Sequence, residues 1–374
     1  MEKLKKYQTD YNNISPSILK HFGKNLHNKK NHPICILKNF IYQYFNKFDT
    51  KFNTFDTLSP VVSIEDNFDK LLIPKDHPAR AKRDTYYVSE KYVLRTQTSS
   101  HQNELLANGY KNFLVTGDVY RKDEIDRTHY PIFHQMEGVI EVISDDPIKE
   151  LKNILFGLVE HLFPNCEYRL NDDYFPFTNP SFEIEVKYDN KWLEILGCGV
   201  MHENIIKNNK LDGKQFLAFG LGLERLCMLA FRIPDIRYFW SDHPKFVDQF
   251  IDGKIVEFKP YTKLPNQKRD VTIVPKNDRI EKNLDKEKKN TYTWFDENNF
   301  FELIRERSND YIESTTFIGD YKNPKNNVYS RTYSMLYSPK DPSITNSSEL
   351  TELCNKIQNN IIDELVNKFE ITIK

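Results

Sequence analysis

Val119-Tyr-Arg121, followed after a charged loop by Tyr130-Pro-Ile-Phe133-His-Gln-Met-Glu137, reads as the two arms of a hairpin. The arms belong to two apolar, β-rich runs, Phe113–Arg121 and Pro131–Ile143, and Lys122-Asp123-Glu-Ile-Asp-Arg-Thr-His129 joins them. One arginine on the first strand thus faces Phe133, Gln135 and Glu137 on the second. A guanidinium is a fixed fork of donors suited to a carboxylate or a phosphate. Phe133 offers a flat ring for stacking. Gln135 and Glu137 are two apart on a strand, so they share a face and suit an ammonium group. The competing reading is a cross-strand ion pair on a wet face.

A second signal lies downstream, at Phe219-Gly220-Leu-Gly222-Leu-Glu224-Arg225-Leu226. It reads as a short buried strand over Phe216–Phe219, a glycine turn, and a helix through Leu229 and Ala230. The stretch lacks the Gly-Lys-Ser/Thr ending of a P-loop and the third glycine of a dinucleotide fingerprint. Arg225 in an otherwise apolar helix is the informative residue, because a half-buried guanidinium needs an anionic partner. Tyr174-Phe175-Pro-Phe177-Thr178 places two aromatics around a proline, as the wall of an apolar pocket or as an ordinary core contact. His77-Pro-Ala-Arg80 and Leu94-Arg-Thr-Gln-Thr-Ser99 read on their own as a turn and then a strand.

Around these motifs the pattern is α+β. The stretch Ile18–Phe48 has helical apolar spacing at Ile34, Leu37, Ile41 and Phe45. Asp146 is placed to cap a helix that begins at Pro147 and carries an apolar stripe through Leu151, Leu155, Leu158, Val159 and Leu162. Ser181–Lys187 and Lys191–Leu196 flank Tyr188-Asp-Asn190 as a second hairpin. From about residue 254 the chain turns charged and is broken by Pro260, Pro265 and Pro275, with a Lys/Glu-rich insertion at 276–290. The predicted order beyond the linker is β-α-β-β-α-β: a strand at Asp270–Val274, a helix at Asn298–Arg307, strands at Tyr311–Phe317 and Val328–Tyr337, a helix at Ser347–Asn367 and a last strand at Phe369–Ile373. That is a ferredoxin-like order, which by itself assigns no activity.

The 374 residues suggest two or three domains, and 39% hydrophobic with 13% aromatic content excludes a globally disordered chain. No apolar run approaches the ~20 residues that span a bilayer, so no membrane role is expected. A net charge of −1 excludes a histone-like polycation but leaves local basic patches for nucleic acid. The five cysteines are scattered without a Cys-x-x-Cys, which argues against a disulfide framework or a zinc knuckle and for a reducing compartment. Nine lysines in the first ~48 residues could form a targeting segment, a nucleic-acid-contacting arm or a solvated helix, and the absence of arginine before Arg80 makes an organellar leader a weak reading.

Together the motifs resemble a known family. Arg121 with Phe133-His-Gln-Met-Glu137 is similar to motif 2 of class II aminoacyl-tRNA synthetases, and Gly220-Leu-Gly-Leu-Glu-Arg225 to motif 3. His77-Pro-Ala-Arg80, Leu94-Arg-Thr-x-Thr-Ser99, Phe133-His-Gln, Phe175-Pro-Phe177 and Trp192-Leu-Glu-Ile-Leu-Gly-Cys-Gly199 resemble signatures of phenylalanyl-tRNA synthetases. The resemblance implies an antiparallel class II sheet flanked by helices over 49–250, after a basic helical segment at 1–48. It implies a linker at 251–267 and a ferredoxin-like anticodon-binding domain at 268–374. That last domain, on the same chain, is the mark of the single-chain, monomeric organellar type.

What the resemblance implies for chemistry is ATP-dependent formation of phenylalanyl adenylate, then transfer to the terminal adenosine of tRNA(Phe), with Mg²⁺ and in the mitochondrial matrix. A plastid-type organelle or the cytoplasm are the alternatives. Arg121 is expected to bridge the amino-acid carboxylate and the α-phosphate, and Phe133 and Arg225 to hold adenine between them. His129 is expected at the β/γ-phosphates and Asp123 near adenine or the acceptor end. Gln135, Glu137 and Ser99 are expected to bind phenylalanine, Phe175 and Phe177 to wall its ring edge-to-face, and Ala218 to floor the pocket. Glu194 is the expected Mg²⁺ ligand. Gln97 stands where the family pattern has histidine, and it cannot become cationic. Lys268–Arg269, Lys286–Lys289 and the strand tyrosines Tyr329, Tyr333 and Tyr337 are expected on the RNA side. The rival readings are the catalytic subunit of a two-subunit synthetase, a silent synthetase-like RNA-binding protein, and another adenylate-forming ligase such as a biotin or lipoate ligase.

Overall fold

A computed structural model describes residues 2–261, 264–276, 296–325, 327–339 and 343–374. The charged insertion at 276–290, with Lys286–Lys289, lies outside these apart from Lys276. The strands are β1 Asn53–Phe55, β2 Val61–Ser63, β3 Tyr92–Leu94, β4 Phe113–Tyr120, β5 Ile132–Val142, β6 Tyr168–Asp173, β7 Thr178–Tyr188, β8 Lys191–Met201, β9 Gln215–Gly222, β10 Gln267–Pro275, β11 Ile312–Lys322, β12 Tyr329–Tyr337 and β13 Ile371–Ile373. The α-helices are α1 Glu2–Tyr7, α2 Pro16–His21, α3 Pro33–Phe45, α4 Ile64–Asn67, α5 Gln102–Ala107, α6 Pro147–Leu162, α7 Glu203–Asn208, α8 Leu223–Ala230, α9 Pro244–Val247, α10 Glu297–Ser308 and α11 Ser347–Lys368. Contacts divide the chain into two units, Met1–Arg121 with Pro131–Phe258, and Lys122–Tyr130 with Lys259–Lys374.

The first unit is built on a seven-stranded sheet in the order β1-β4-β5-β9-β8-β7-β6. Its ladders are antiparallel except for β1 beside β4. Every residue of β4 is buried, as expected for an interior strand covered on both faces. Asp146 accepts the Lys149 amide at 3.0 Å, so α6 starts where the cap and Pro147 predict, and its stripe of Leu151, Ile154, Leu155, Leu158, Val159 and Leu162 is buried. The β7–β8 hairpin turns through Asp189 and Asn190, both with positive φ (47° and 62°), the conformation a two-residue hairpin loop demands. The helical reading of Ile18–Phe48 needs correction. Asn25 and Asn31 take left-handed φ values of 46° and 64° and break the run, and α3 begins only at Pro33, where His32 accepts the Ile34 amide. Ile34, Leu37, Ile41 and Phe45 do form its buried face. Phe45 stacks on Phe219 at 5.4 Å, which sets α3 on one face of the sheet.

The glycine turn also needs correction. β9 runs on to Gly222 and α8 starts at Leu223, so Gly220 and Gly222 are ladder residues paired with Glu137 and Gln135.

In the second unit the elements follow in the order β10, α10, β11, β12, α11, β13, and the sheet order is β11-β12-β10-β13, antiparallel throughout. Val271, Ile273, Phe300, Ile304, Tyr333, Met335, Tyr337, Leu350, Ile361 and Leu365 form its core. Tyr333 and Tyr337 are therefore not available for base stacking. Period-two alternation sends them inward, where the Tyr337 hydroxyl donates to Gln358. Tyr329, beside Lys322, is half-buried.

Candidate active site

The registers of β4, β5, β9 and β8 place a distinctive set of residues on one face of the first sheet. Directly opposed residues share a face. Gly117 pairs with Gln135, which pairs with Gly222; Glu137 pairs with Gly220, which pairs with Gly197; Val139 pairs with Ala218, which pairs with Gly199. Gly220 and Gly222 thus leave part of this face bare and Ala218 adds only a methyl, whereas the space over Gly117, Gly197 and Gly199 is taken by Arg95, Phe175 and the Pro180 carbonyl. A Cβ at Gly222 would meet nothing within 4 Å, and one at Gly220 only the Gln135 amide. At Gly197 the space is taken by the Phe175 ring, whose Cζ lies 2.7 Å from where a Cβ would be. Phe175 and Phe177 stack at 5.7 Å with their planes 13° apart. Phe177 and Ala218 pack into one apolar cluster with Val139, Phe113, Leu105, Leu106 and Met201. The result is a cleft with a glycine floor and an aromatic wall.

The polar groups converge on the other side. Phe133, Gln135 and Glu137 project to the same face by strand alternation. The Gln135 Oε1 accepts the Thr98 amide at 3.0 Å, which fixes the side chain across the cleft. Ser99 donates to Glu137 Oε2, and the Gln102 side chain lies near enough to favour the charged carboxylate, although no well-aligned hydrogen bond reaches Glu137 Oε1 among the described residues. Glu137 is 2% exposed, and burial pushes its carboxyl up to about 7. An unpartnered oxygen on a buried carboxylate is costly unless a cation visits it. Arg121 donates from Nε to the Thr96 carbonyl at 2.7 Å, and its guanidinium lies 5.3 Å from the Phe133 ring centroid.

On this same face Arg95 fills the space over Gly117 and is wholly buried. Its Nε donates to the Asp118 carbonyl at 2.7 Å, its Nη2 to the Asp118 carboxylate at 3.1 Å, and its Nη1 lies 3.0 Å from His101 Nε2. Burial favours the neutral Asp118 carboxyl, but Arg95 and the Tyr120 hydroxyl outweigh it and hold that carboxyl below its ordinary range. Gly117 makes this possible, since a Cβ there would sit 1.9 Å from Arg95 Nη2. Gly117→Ala is expected to destabilise the protein by about 3 kcal/mol, because breaking a buried ion pair costs more than the overpacking itself. Urea unfolding of the variant and parent measures this; equal midpoints would mean that Arg95 yields without loss.

Arg225, the third residue of α8, donates to the Glu194 carbonyl at 3.1 Å and lies 3.4 Å from its carboxylate. Glu194 is thus the anionic partner that Arg225 calls for, and both side chains are partly exposed. Asp123 and His129 belong to the 122–130 segment of the second unit. There the Asp123 carbonyl accepts Arg305 at 3.1 Å, and His129 Nδ1 lies 2.7 Å from Asp126. Among the described residues no group of three or more His, Cys, Asp or Glu side chains is arranged to hold a metal ion. Gln102 stands outside the motifs of the sequence, and Thr98 stands inside one without a role of its own. Gln102 is buried beside Glu137 without a well-aligned hydrogen bond among the described residues, and among those residues the buried Thr98 hydroxyl likewise has none. Their signal in sequence was only proximity: Gln102 falls one helical turn after Ser99.

Glycine-rich central strands, an arginine beside a stacking ring and a buried carboxylate are what a class II aminoacyl-tRNA synthetase would need to receive an ammonium-bearing substrate beside a flat, anionic one. Residues 18–250 match the family model for the tRNA synthetases class II core domain (F). Over 97% of this chain and 83% of the other, it is 42% identical to the chloroplastic/mitochondrial phenylalanine–tRNA ligase of Arabidopsis thaliana. It is 37% identical to the mitochondrial phenylalanine–tRNA ligase of Dictyostelium discoideum, over 97% of this chain and 89% of that one. With the mitochondrial phenylalanine–tRNA ligase of Saccharomyces cerevisiae it shares 33% identity over 99% and 94% of the two chains. The chain belongs to the phenylalanine–tRNA ligase family.

Proposed function

We infer that this protein activates phenylalanine with ATP and transfers it to tRNA(Phe) in mitochondrial translation, as a monomer. The observation that carries the reading is the buried, half-partnered carboxylate of Glu137 at the end of a glycine floor walled by Phe175 and Phe177.

In the first step the phenylalanine carboxylate attacks the α-phosphorus of ATP in line and pyrophosphate leaves. No protein nucleophile is needed; the demand is for alignment and for cations where charge accumulates. Glu137, Gln135 and Ser99 take the ammonium group, with Gln102 beside them. Phe175 and Phe177 take the ring over Ala218. A tyrosine hydroxyl on that apolar side would lose its partners at a cost of about 1–3 kcal/mol. Arg121 faces the junction of carboxylate and α-phosphate, and Phe133 with Arg225 holds adenine. Glu194 is the acid that would share a Mg²⁺ with the triphosphate, water and phosphate oxygens supplying the remaining ligands. When bound, that ion neutralises phosphate charge. Glu194 also orients Arg225, and these two roles suit one exposed carboxylate.

The β-α-β-β-α-β unit is read as a ferredoxin-like anticodon-binding domain over 268–374, in the same chain as a catalytic domain over 49–250. Its strand order and its two helices on one face support that reading. ATP–pyrophosphate exchange with each of the twenty amino acids, without tRNA, tests the function. Exchange with phenylalanine, and at most weak exchange with tyrosine, is expected; exchange with none would overturn single-chain activation.

A further inference from the structure

β9 leaves the sheet at Gly222, where its last ladder partner on β5 is Gln135. The next residue of β5, towards the loop, is His134, whose amide therefore has no strand beside it on that edge. Glu224, the second residue of α8, fills the place. Its Oε2 accepts the His134 amide at 2.7 Å and its Oε1 lies 2.7 Å from His134 Nδ1. A carboxylate only accepts, so Nδ1 carries the proton in this bond. Both side chains are fully buried, on the face of the sheet opposite the cleft. Around them lie His27, whose ring is 5.2 Å from that of His134, and Trp240 at 5.9 Å.

This two-point clamp stands between the residues proposed to hold the nucleotide. Phe133 and Gln135 flank His134 on β5, and Arg225 follows Glu224 on α8. Gln135 has a separate anchor in the Thr98 amide. Phe133 and the first turn of α8 have no comparable tie to each other in the ladder. We propose that Glu224 is a positioning residue that locks Phe133 and Arg225 into one ATP-binding geometry while leaving the phenylalanine site to its own anchors. The inference rests on the reading that Phe133 and Arg225 bind ATP.

The consequence is a split between the two substrates. Glu224→Gln keeps one acceptor for the His134 amide and loses the other, so the fold should survive while α8 shifts on β5. In ATP–pyrophosphate exchange with the full chain, the KM for ATP is expected to rise by about tenfold, because a displacement of about an ångström is enough for such losses. The KM for phenylalanine should stay within about twofold of the parent, since a contact shared with neither phenylalanine anchor leaves that site intact. Equal rises in both KM values, or no rise in either, would overturn the proposal. His134→Gln, which retains the amide leg alone, is held to the same criterion should Glu224→Gln fail to fold. Arg225→Ala is the control: an unchanged KM for ATP in that variant would remove the ATP reading itself, whereas a raised one beside a normal Glu224→Gln would remove only the clamp.

Discussion

Replacing Arg121 with alanine is expected to lower kcat for phenylalanine-dependent pyrophosphate exchange by about 10²–10³, the usual loss when one preorganised donor to transition-state charge is removed. The reason lies in how the guanidinium is held. Its Nε is committed to the Thr96 carbonyl, and its plane lies beside the Phe133 ring. The fork is therefore aimed before substrate arrives, and no reorganisation is needed when charge gathers on the α-phosphate oxygens. Arg121→Lys should recover little, because a point charge cannot keep the Thr96 bond and present two parallel donors at once. Arg121 is exposed, so the thermal midpoint should move little. A variant that keeps kcat within about threefold would remove Arg121 from the reaction, since a transition-state donor is worth far more than that.

The second large effect is a pH dependence centred on Glu137. Burial raises its carboxyl from 4.5 to about 7. A phenylalanine ammonium beside it favours the charged form, so binding below pH 7 must expel the proton. The KM for phenylalanine should fall about tenfold between pH 6 and pH 8. Glu137→Gln should abolish the slope and raise the KM by some thirtyfold, about 2 kcal/mol for a charged hydrogen bond. Stability of the free protein has the opposite sign. The folded state binds this proton more tightly than the unfolded chain, so its contribution is present below the unfolded value and is lost as pH rises through the folded one. The loss, between about 4.5 and about 7, is of the order of 3 kcal/mol. Saturating phenylalanine should restore it, and Glu137→Gln should be more stable than the parent at pH 8. A KM that is the same at pH 6 and pH 8, or a Glu137→Gln protein less stable than the parent at pH 8, would show that Glu137 is not the ammonium site.

The parts of this site that were legible in sequence are those written in local periodicity. Alternation on one strand put Gln135 and Glu137 on a common face, and the cap at Asp146 gave the start of α6. Residues whose meaning depends on a distant partner were not legible. Arg95 read as part of a strand, because only the fold brings Asp118 and Gly117 to it. Gln102 stood outside every motif, and Thr98 stood inside one without a role assigned to it. Gly220 and Gly222 read as a turn because glycine usually marks one; here their smallness is what matters, and the ladder continues through them. The loop 122–130 read as the charged end of a long-looped hairpin. Instead Ile125 joins the apolar core of the second unit, and Lys122 pairs with Glu302 at 3.0 Å. Sequence proximity gave no hint of partners so far along the chain.

The glycine floor has a consequence for how such a gene can drift. The chain is rich in lysine and asparagine, whose codons are A/T-rich, and it holds only 12 glycines. Every glycine codon begins with two guanines, the letters that an A/T-biased replication system erodes first. Single-base changes from those codons yield Ser, Asp, Ala, Val, Arg, Glu, Cys or Trp, all of which add atoms. At Gly220 and Gly222 the added atoms would enter the space proposed for substrate and meet at most the Gln135 amide. Such alleles would yield folded, abundant and inactive protein. At Gly117, Gly197 and Gly199 they would strike Arg95, Phe175 and the Pro180 carbonyl, and the protein itself would be lost. One sheet face therefore sorts its missense variants into two phenotypes, separable by measuring protein level alongside charging.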